Sequence, residues 1–97
     1  MFHLVVKHSA REMLNDAYWW YEEQLPGLGE RFLNEIEHSF TKLANAPYSY
    51  SLLQENYRQL ILKRFPYKIV FEVVEKNVVI YAVFHSKRDP DKLFGLG

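Results

Sequence analysis

Cysteine is missing from this 97-residue chain. Its absence excludes disulfide bonds, a thiol nucleophile and thiolate metal ligands. Long uninterrupted apolar stretches are missing as well, so we expect no membrane span. Residues 1–7 lack the basic start and apolar run of a signal peptide. These absences together predict a cytoplasmic protein with no membrane association.

An excess of charge of either sign is also lacking, because 12 Lys and Arg residues balance 12 Asp and Glu residues. The balance is uneven along the chain. Residues 1–50 hold four basic and seven acidic residues (4 − 7 = −3), and residues 51–97 hold eight and five (8 − 5 = +3). A protein that depends mainly on phosphate contacts would be more basic. The second half alone is suited to an anionic partner, and an ordinary mixed surface is the alternative.

Apolar and aromatic residues are plentiful, at 48% and 16% of the chain. A chain of this length forms one domain, and such a composition is rich enough to build its core. Glycine and proline are scarce, at four each, and the sequence has no repeat or low-complexity tract. We therefore expect a single folded domain over residues 1–97.

The first quarter of the sequence predicts a strand followed by a helix. Phe2–Lys7 is rich in β-branched residues and alternates loosely. Ser9 and Glu12 match a capping box that begins a helix reaching about Leu25. The inward stripe of this helix has spacings of three and four and consists of Ala10, Met13, Leu14, Ala17 and Tyr21.

A second helix follows the break at Pro26–Gly27 and ends at Ala46–Pro47, since the residue before a proline disfavours the α region. Gly29 falls on its apolar face, where a missing side chain lets another element approach closely. The short break predicts a helical hairpin. The apolar face consists of Leu28, Phe32, Leu33, Ile36, Phe40 and Leu43.

From Tyr57 onward the apolar period changes to two, which is typical of strands. Three runs have this period: Tyr57–Arg64, Tyr67–Val74 and Val78–His85. Residues 75–77 suit a tight turn between the last two. The predicted order is β-α-α-β-β-β, an α+β fold with a helical hairpin packed on a mostly antiparallel sheet.

Three sequence blocks resemble the RelE/ParE toxin superfamily and come closest to ParE-like plasmid-stabilisation toxins. They are the aromatic helix and turn at 17–32, the Lys-Arg-Phe-Pro-Tyr segment within 57–70, and the His-Ser-Lys-Arg-Asp-Pro ending within 82–90. The resemblance covers nearly the whole chain and agrees with the element order above. It implies the toxin of a type II toxin–antitoxin system, with a cognate antitoxin as its stable partner.

The superfamily has two branches, of which RelE-like toxins cut messenger RNA on the ribosome and ParE-like toxins inhibit DNA gyrase by binding. Carried onto this sequence, the two strand lysines of the RelE branch fall on Leu60 and Leu62, and the arginine of the next strand falls on Lys68. The later arginine is kept as Arg88, and the tyrosine position holds Phe94. Leucine and phenylalanine cannot transfer protons or neutralise a phosphate. The resemblance therefore favours the gyrase-binding branch and a protein that is not an enzyme.

The alternative is a messenger-RNA endonuclease of the RelE or YoeB kind, with Arg64, His85 and Arg88 as its catalytic residues. The YoeB type uses glutamate, arginine and histidine, for which Glu55, Arg64 and His85 are the candidates here. The other interpretation is structural, with Arg64 paired with Glu72 or Asp89 and His85 acting as a capping or hydrogen-bonding residue at the end of the last strand, and the sequence favours it for His85. A non-toxic family member that only binds its partner and DNA is the remaining alternative.

Two surfaces are predicted to bind partners. Trp19 and Trp20 belong to a run of aromatic residues on the first helix, and we expect them to contact the antitoxin; cover of Trp19 by a loop or the C-terminal segment is the alternative. The basic residues expected to contact gyrase, or alternatively the ribosome and messenger RNA, are Arg58, Arg64, Lys87 and Arg88.

No metal site or cofactor is predicted. His3, His8 and His38 are isolated histidines that do not follow a metal-ligand pattern. We therefore expect the protein to act through its own side chains.

Overall fold

Two helices pack against a five-stranded sheet in the computed structural model, which describes residues 1–87. The helices are α1 (His8–Gln24) and α2 (Leu28–Asn45), and a short 3-10 turn follows at Pro47–Ser49. The strands are β1 (His3–Val6), β2 (Leu52–Gln54), β3 (Tyr57–Ile61), β4 (Tyr67–Val74) and β5 (Asn77–His85). Their order across the sheet is β1-β5-β4-β3-β2. The β1–β5 pair is parallel and the other pairs are antiparallel.

The predicted α+β fold is confirmed, with one strand more than expected. The added strand, β2, has only three residues and pairs with the first part of β3, which is too short for a period of two to be recognised. The second predicted strand, Tyr57–Arg64, was too long, because the corresponding strand of the structure, β3, ends at Ile61. Arg64 therefore lies in the β3–β4 connection and does not share a strand face with Arg58.

The main core lies between the helices and the sheet. Phe32 of α2 is fully buried and contacts three rings, with centroid distances of 5.4 Å to Tyr21, 5.3 Å to Phe65 and 5.2 Å to Tyr67. The Phe65 and Tyr67 rings meet Phe32 edge-on, whereas the Tyr21 ring is tilted by 34°, and edge-to-face pairs add to the stabilisation from burial. The aromatic cluster therefore fixes the β3–β4 connection against both helices.

A second, smaller cluster forms on the opposite face of the sheet. Val70, Ala82 and Phe84 are buried there, and Met13 packs against them. A bulge between Val70 and Phe71 shifts the β4–β5 register. The inward stripe of α1 therefore contributes to both clusters, because Met13 packs against this smaller cluster and Leu14 packs against the main core.

The capping box predicted at Ser9 was wrong. Helix α1 begins at His8, two residues earlier than an N-cap at Ser9 implies, and its N-cap residue Lys7 makes no side-chain capping bond. The Ser9 hydroxyl instead donates to the Tyr81 carbonyl (3.1 Å), which ties the helix to β5. Glu12 contacts His8 at 2.8 Å, so this histidine has a carboxylate one turn along the helix.

The turn of the helical hairpin is held by one carboxylate. Glu22 of α1 accepts hydrogen bonds from the backbone N–H groups of Gly27 (3.0 Å), Gly29 (2.8 Å) and Glu30 (3.3 Å). These N–H groups lack partners within α2, and a negative charge at a helix N-terminus is favourable. The helices approach so closely here that a Cβ on Gly29 would lie 2.7 Å from the Tyr18 carbonyl oxygen. The close approach predicted at Gly29 is confirmed.

We expect Gly29→Ala to destabilise the fold by about 1–2 kcal/mol, because crowding against the Tyr18 backbone costs more than the gain in helix propensity. Urea denaturation followed by circular dichroism measures the change. Asn34→Ala, at an exposed position of the same helix, is the control and should leave stability within about 0.5 kcal/mol. A Gly29→Ala variant as stable as the parent would show that the hairpin relaxes without cost.

Candidate functional site

Two segments of the chain meet at one end of the sheet, where β3 turns into β4 and where β5 ends. Leu62 N donates to Tyr67 O (2.9 Å), and Tyr67 lies opposite His85. Ser86 N donates to Pro66 O at 2.7 Å. These bonds hold the β3–β4 connection beside the residues that follow β5.

Three cations project from this end, which we call the basic end: Lys63, Arg64 and Lys87, all exposed. Glu35 of α2 holds the first two in place, since its Oε2 accepts from the backbone N–H groups of Lys63 (2.8 Å) and Arg64 (3.3 Å). Sequence reasoning missed Glu35. The available signal was its position three residues after Phe32, on the flank of the buried stripe of α2.

His85 is half-buried at the end of β5. Its ring packs against Tyr67 at a centroid distance of 5.5 Å, and its Nδ1 accepts a hydrogen bond from Lys87 N (3.3 Å). An Nδ1 that accepts leaves Nε2 as the nitrogen available to a ligand. The histidine therefore supports the local backbone and also presents one nitrogen at the basic end.

The structure does not bring Glu55 to this site. Glu55 lies in the β2–β3 turn with a left-handed φ of 50°, whereas Arg64 and His85 lie at the opposite end of the sheet. The length of β3 alone, from Tyr57 to Ile61, separates the two ends by about 13 Å. The glutamate–arginine–histidine set proposed from the sequence is therefore wrong in its glutamate.

Leu60 and Leu62, at the positions of the two RelE-branch lysines, are core residues. Each is only 5% exposed and faces the helices. Lys68, at the position of the strand arginine, places its amine 5.7 Å from the centre of the Phe84 ring. This is a cation–π contact, and it directs the charge towards the face of the sheet opposite the helices.

Arg58 lies away from the basic end and already has partners. Its guanidinium donates to the Tyr50 carbonyl (2.6 Å) and lies 5.2 Å from the centre of the Tyr48 ring. It thereby fastens the segment after α2 to β3. Of the predicted target-binding residues, the structure thus brings together Arg64 and Lys87, and Arg88 lies outside the described residues.

A tyrosine–glutamate pair on the open face of the sheet was not foreseen. Tyr81 donates to Glu72 Oε1 at 2.9 Å. Burial, and then the bond to Glu72, raise the pKa of Tyr81 to about 12. The hydroxyl is therefore protonated at neutral pH and suited to donating rather than to accepting a proton.

The expected pairing of Arg64 with Glu72 is excluded, because Glu72 lies opposite Tyr57, far from the basic end. Asp89, the other carboxylate considered for this pairing, lies outside the described residues.

The tryptophans predicted to contact a partner are exposed on α1. Trp19 is 56% exposed and Trp20 is 55% exposed. Each ring rests edge-on against a tyrosine, Trp19 on Tyr18 (5.0 Å) and Trp20 on Tyr21 (5.1 Å). Beside Trp19 lies a shallow pocket of about 390 Å³, lined partly by Leu14 and Leu33. Large exposed apolar side chains next to a shallow pocket are typical of a protein interface.

Within residues 1–87, no group of three or more His, Asp or Glu side chains is arranged to hold a metal ion. The same part of the chain contains no helix with both the length and the apolar character needed to cross a bilayer.

Comparison with known proteins gives one consistent set of relatives. The family model described as ParE toxin of type II toxin–antitoxin system, parDE, matches residues 4–90. Toxin ParE2 of Mycobacterium tuberculosis is 26% identical over 89 residues, which is 91% of this chain and 85% of that protein.

Solved structures have the same fold. The chromosomal ParDE toxin–antitoxin system of P. aeruginosa superposes with a TM-score of 0.80 at 20% identity, covering 90% of this chain and 98% of that one. The isolated E. coli RelE toxin superposes with a TM-score of 0.67 at 15% identity, covering 99% and 96%. Toxins of both branches therefore share this architecture.

Proposed function

Because the chain belongs to the ParE toxin family of type II toxin–antitoxin systems, we propose that it arrests growth by binding DNA gyrase and is neutralised by a cognate antitoxin. It acts by occupying its target and does not cut RNA. We name gyrase as the target because the sequence resembles the ParE branch of the superfamily.

The observation that carries this choice is the burial of Leu60 and Leu62. Ribonucleolytic attack by a 2′-hydroxyl needs groups that move protons and neutralise the phosphorane. At these two positions the chain has apolar side chains that pack into the core at 5% exposure. A single lost group of this kind costs about 2.7–4 kcal/mol of transition-state stabilisation, which supports binding over catalysis.

The target surface that we propose is the basic end, centred on Arg64 and Lys87 and continued along the chain by Arg88. Arg58 is left out of this surface, because it lies away from the basic end and its guanidinium already donates to the Tyr50 carbonyl. Exposed cations on a fixed backbone suit an anionic protein surface. The backbone here is held in place by Glu35, which accepts hydrogen bonds from N–H groups of the β3–β4 connection.

The antitoxin surface that we propose is the exposed face of α1 with Trp19 and Trp20. Two of the structural relatives are described as a ParDE system and as an intact E. coli RelBE toxin–antitoxin complex, which supports a protein partner of this kind. A helix or extended segment with an apolar stripe fits an exposed tryptophan pair beside a shallow pocket.

Arg64→Glu should raise the concentration that half-inhibits gyrase supercoiling by about tenfold, since reversing an interfacial charge replaces attraction with repulsion. A purified supercoiling assay measures it. Lys76→Glu makes the same charge change at the opposite end of the sheet, in the β4–β5 turn, and should leave inhibition unchanged. Equal effects of the two variants would assign the loss to net charge and contradict a localised surface.

A messenger-RNA endonuclease is the second candidate, favoured by one observation. His85 keeps Nε2 available at the same end of the sheet as Arg64, and a histidine beside an arginine can serve phosphodiester chemistry. Under this alternative His85→Ala abolishes toxicity while the fold and antitoxin binding persist. Under our proposal the His85→Ala variant remains toxic.

Overexpression of the parent chain tests the remaining alternative. If overexpression is harmless, this chain is a non-toxic member of the family.

A further inference from the structure

A groove lies between α2 and the segment that runs from the end of β3 into the β3–β4 connection. Its volume is about 930 Å³, within the range of about 300–1,000 Å³ that is typical of sites for small organic molecules. Part of its lining is apolar or aromatic and consists of Leu28, Tyr50, Leu60, Leu62 and Phe65. The groove is therefore suited to a ligand with an apolar or aromatic body.

Four cations line the same groove and have no carboxylate partner among residues 1–87. Two of them belong to α2 and two to the β3–β4 connection, and they are Arg31, Lys42, Lys63 and Arg64. Within the described part of the chain, the ion pair between His8 and Glu12 is the only one. Arginine and lysine side chains on two sides of a cavity suit phosphate groups, which accept several charge-assisted hydrogen bonds.

Glu35 is the only carboxylate among the described residues that line the groove. Its Oε2 accepts hydrogen bonds from the N–H groups of Lys63 and Arg64. Its Oε1 is buried and accepts no hydrogen bond from residues 1–87. Because a buried acceptor without a donor is unfavourable, the groove suits a ligand that brings a hydroxyl or N–H group to this oxygen.

The cations and the carboxylate follow one another along the groove. Arg31, Glu35 and Lys42 share one face of α2, because they are four and seven positions apart. These spacings correspond to about 6 Å and about 10 Å along the helix axis. The β3–β4 connection lies beside the Arg31 end, since Phe65 contacts Phe32 at a centroid distance of 5.3 Å. Three cations thus surround one end of the groove.

Tyr50 lies at the other end. Its carbonyl accepts from Arg58 (2.6 Å), and its ring contacts Phe71, the residue opposite Arg58 in the sheet, at a centroid distance of 6.4 Å. Both of these contacts lie further along the sheet from the β3–β4 connection than Leu60, which is paired with Ile69. The groove therefore presents cations, then the Glu35 carboxylate, and then an aromatic ring among apolar side chains.

We propose that this groove binds a free ribonucleoside polyphosphate. The phosphates contact Arg31, Lys63 and Arg64, a ribose hydroxyl donates to Glu35 Oε1, and the base lies against Tyr50. The site belongs to the toxin alone and does not depend on which target the toxin has. Only one consequence rests on the proposed function: a bound nucleotide covers Arg64 and thereby weakens the contact with gyrase.

A free nucleotide fits better than a simpler or a larger anion. Inorganic phosphate or polyphosphate would contact the cations but leave the apolar lining and Glu35 Oε1 without a partner. A nucleic acid depends on an extended basic surface, whereas the whole chain is neutral by formal charge. A nucleotide combines phosphates, a hydroxylated sugar and a flat base in the order in which the groove presents their partners. A carboxylate that accepts from a ribose hydroxyl is also a common feature of nucleotide sites.

The test titrates ATP into the purified chain and measures the affinity by calorimetry. We expect ATP to bind and 2′,3′-dideoxy-ATP to bind about tenfold more weakly, because it lacks the hydroxyls that donate to Glu35. Inorganic triphosphate, which has no sugar or base, should bind more weakly still. These comparisons change the ligand and leave the protein intact, so a loss of affinity cannot come from misfolding.

A pair of variants locates the site on the protein. Arg31→Glu should weaken ATP binding by about tenfold, since it replaces a phosphate-binding cation with a like charge. Lys76→Glu makes the same charge change in the β4–β5 turn, far from the groove, and should bind ATP with the parent affinity. Circular dichroism of both variants checks that the fold is kept.

Three outcomes would overturn the proposal. The first is an absence of ATP binding at millimolar concentration. The second is equal affinity for ATP, dideoxy-ATP and inorganic triphosphate, which would leave only a general attraction for anions. The third is an adenine oligoribonucleotide that binds more tightly than ATP and is weakened by Arg31→Glu, which would make the groove a nucleic-acid site. The titrations contain neither gyrase nor antitoxin, so a failure here is distinguishable from a failure of the proposed function.

Discussion

Phe32→Ala is expected to lower the free energy of unfolding by about 3–5 kcal/mol, the range for deleting a buried aromatic side chain. Phe32 is completely buried and is the shared contact of Tyr21, Phe65 and Tyr67. The total free energy of unfolding of a folded domain is about 5–15 kcal/mol, so the variant should unfold at a much lower urea concentration than the parent.

Circular dichroism during urea denaturation measures this loss, and Leu25→Ala serves as its control. Leu25 is 56% exposed, so its truncation should change stability by no more than about 0.5 kcal/mol. Because Phe65 directly follows Arg64, toxicity of Phe32→Ala should fall along with stability. A Phe32→Ala variant within about 1 kcal/mol of the parent would contradict the central place of this cluster in the core.

Trp19→Ala is expected to weaken antitoxin binding by about 2–4 kcal/mol, or roughly 30- to 700-fold in Kd, because exposed tryptophans at interfaces are frequent hot spots. The side chain is 56% exposed and contacts Tyr18 edge-on, so folding stability should change little. Isothermal titration of the purified antitoxin into each variant measures the affinity. In cells, co-expressed antitoxin should no longer rescue growth.

The matched control is again Leu25→Ala, since Leu25 has the same exposed fraction but lies at the hairpin turn. It should bind the antitoxin with the parent affinity. Trp20→Ala, beside Trp19, should also weaken binding. If both tryptophan variants bind the antitoxin with the parent affinity, the antitoxin binds elsewhere on the toxin. That result would contradict the proposal that the exposed face of α1 is the antitoxin surface.

The sequence was most informative where a pattern repeats over many residues. The apolar stripe of α2 and the alternation of β4 extend far enough to specify their elements, and β4 has the predicted bounds Tyr67–Val74. The three residues of β2 are too few for any period, and the strand exists because β3 offers it a partner. The capping role assigned to Ser9 failed because its hydroxyl finds the Tyr81 carbonyl, 72 residues away, which no local motif predicts.

The candidate site was predictable only in part for the same reason. Arg64 and His85 were both candidates for the catalytic alternative, and the register places them at one end of the sheet. The bonds from Glu35 to the N–H groups of Lys63 and Arg64 join residues 28 and 29 positions apart. Contacts of this kind depend on how α2 packs across the sheet edge, which residue spacing does not determine.

The central claim is that this toxin binds gyrase and leaves translation intact, and pulse-labelled amino-acid incorporation tests it most directly. The chain is induced alone in a bacterial host, and incorporation is followed through the first minutes. We predict that incorporation continues at first while growth later stops and plasmid supercoiling decreases. An immediate collapse of incorporation, ahead of any change in supercoiling, would make the ribosome the target and contradict the account.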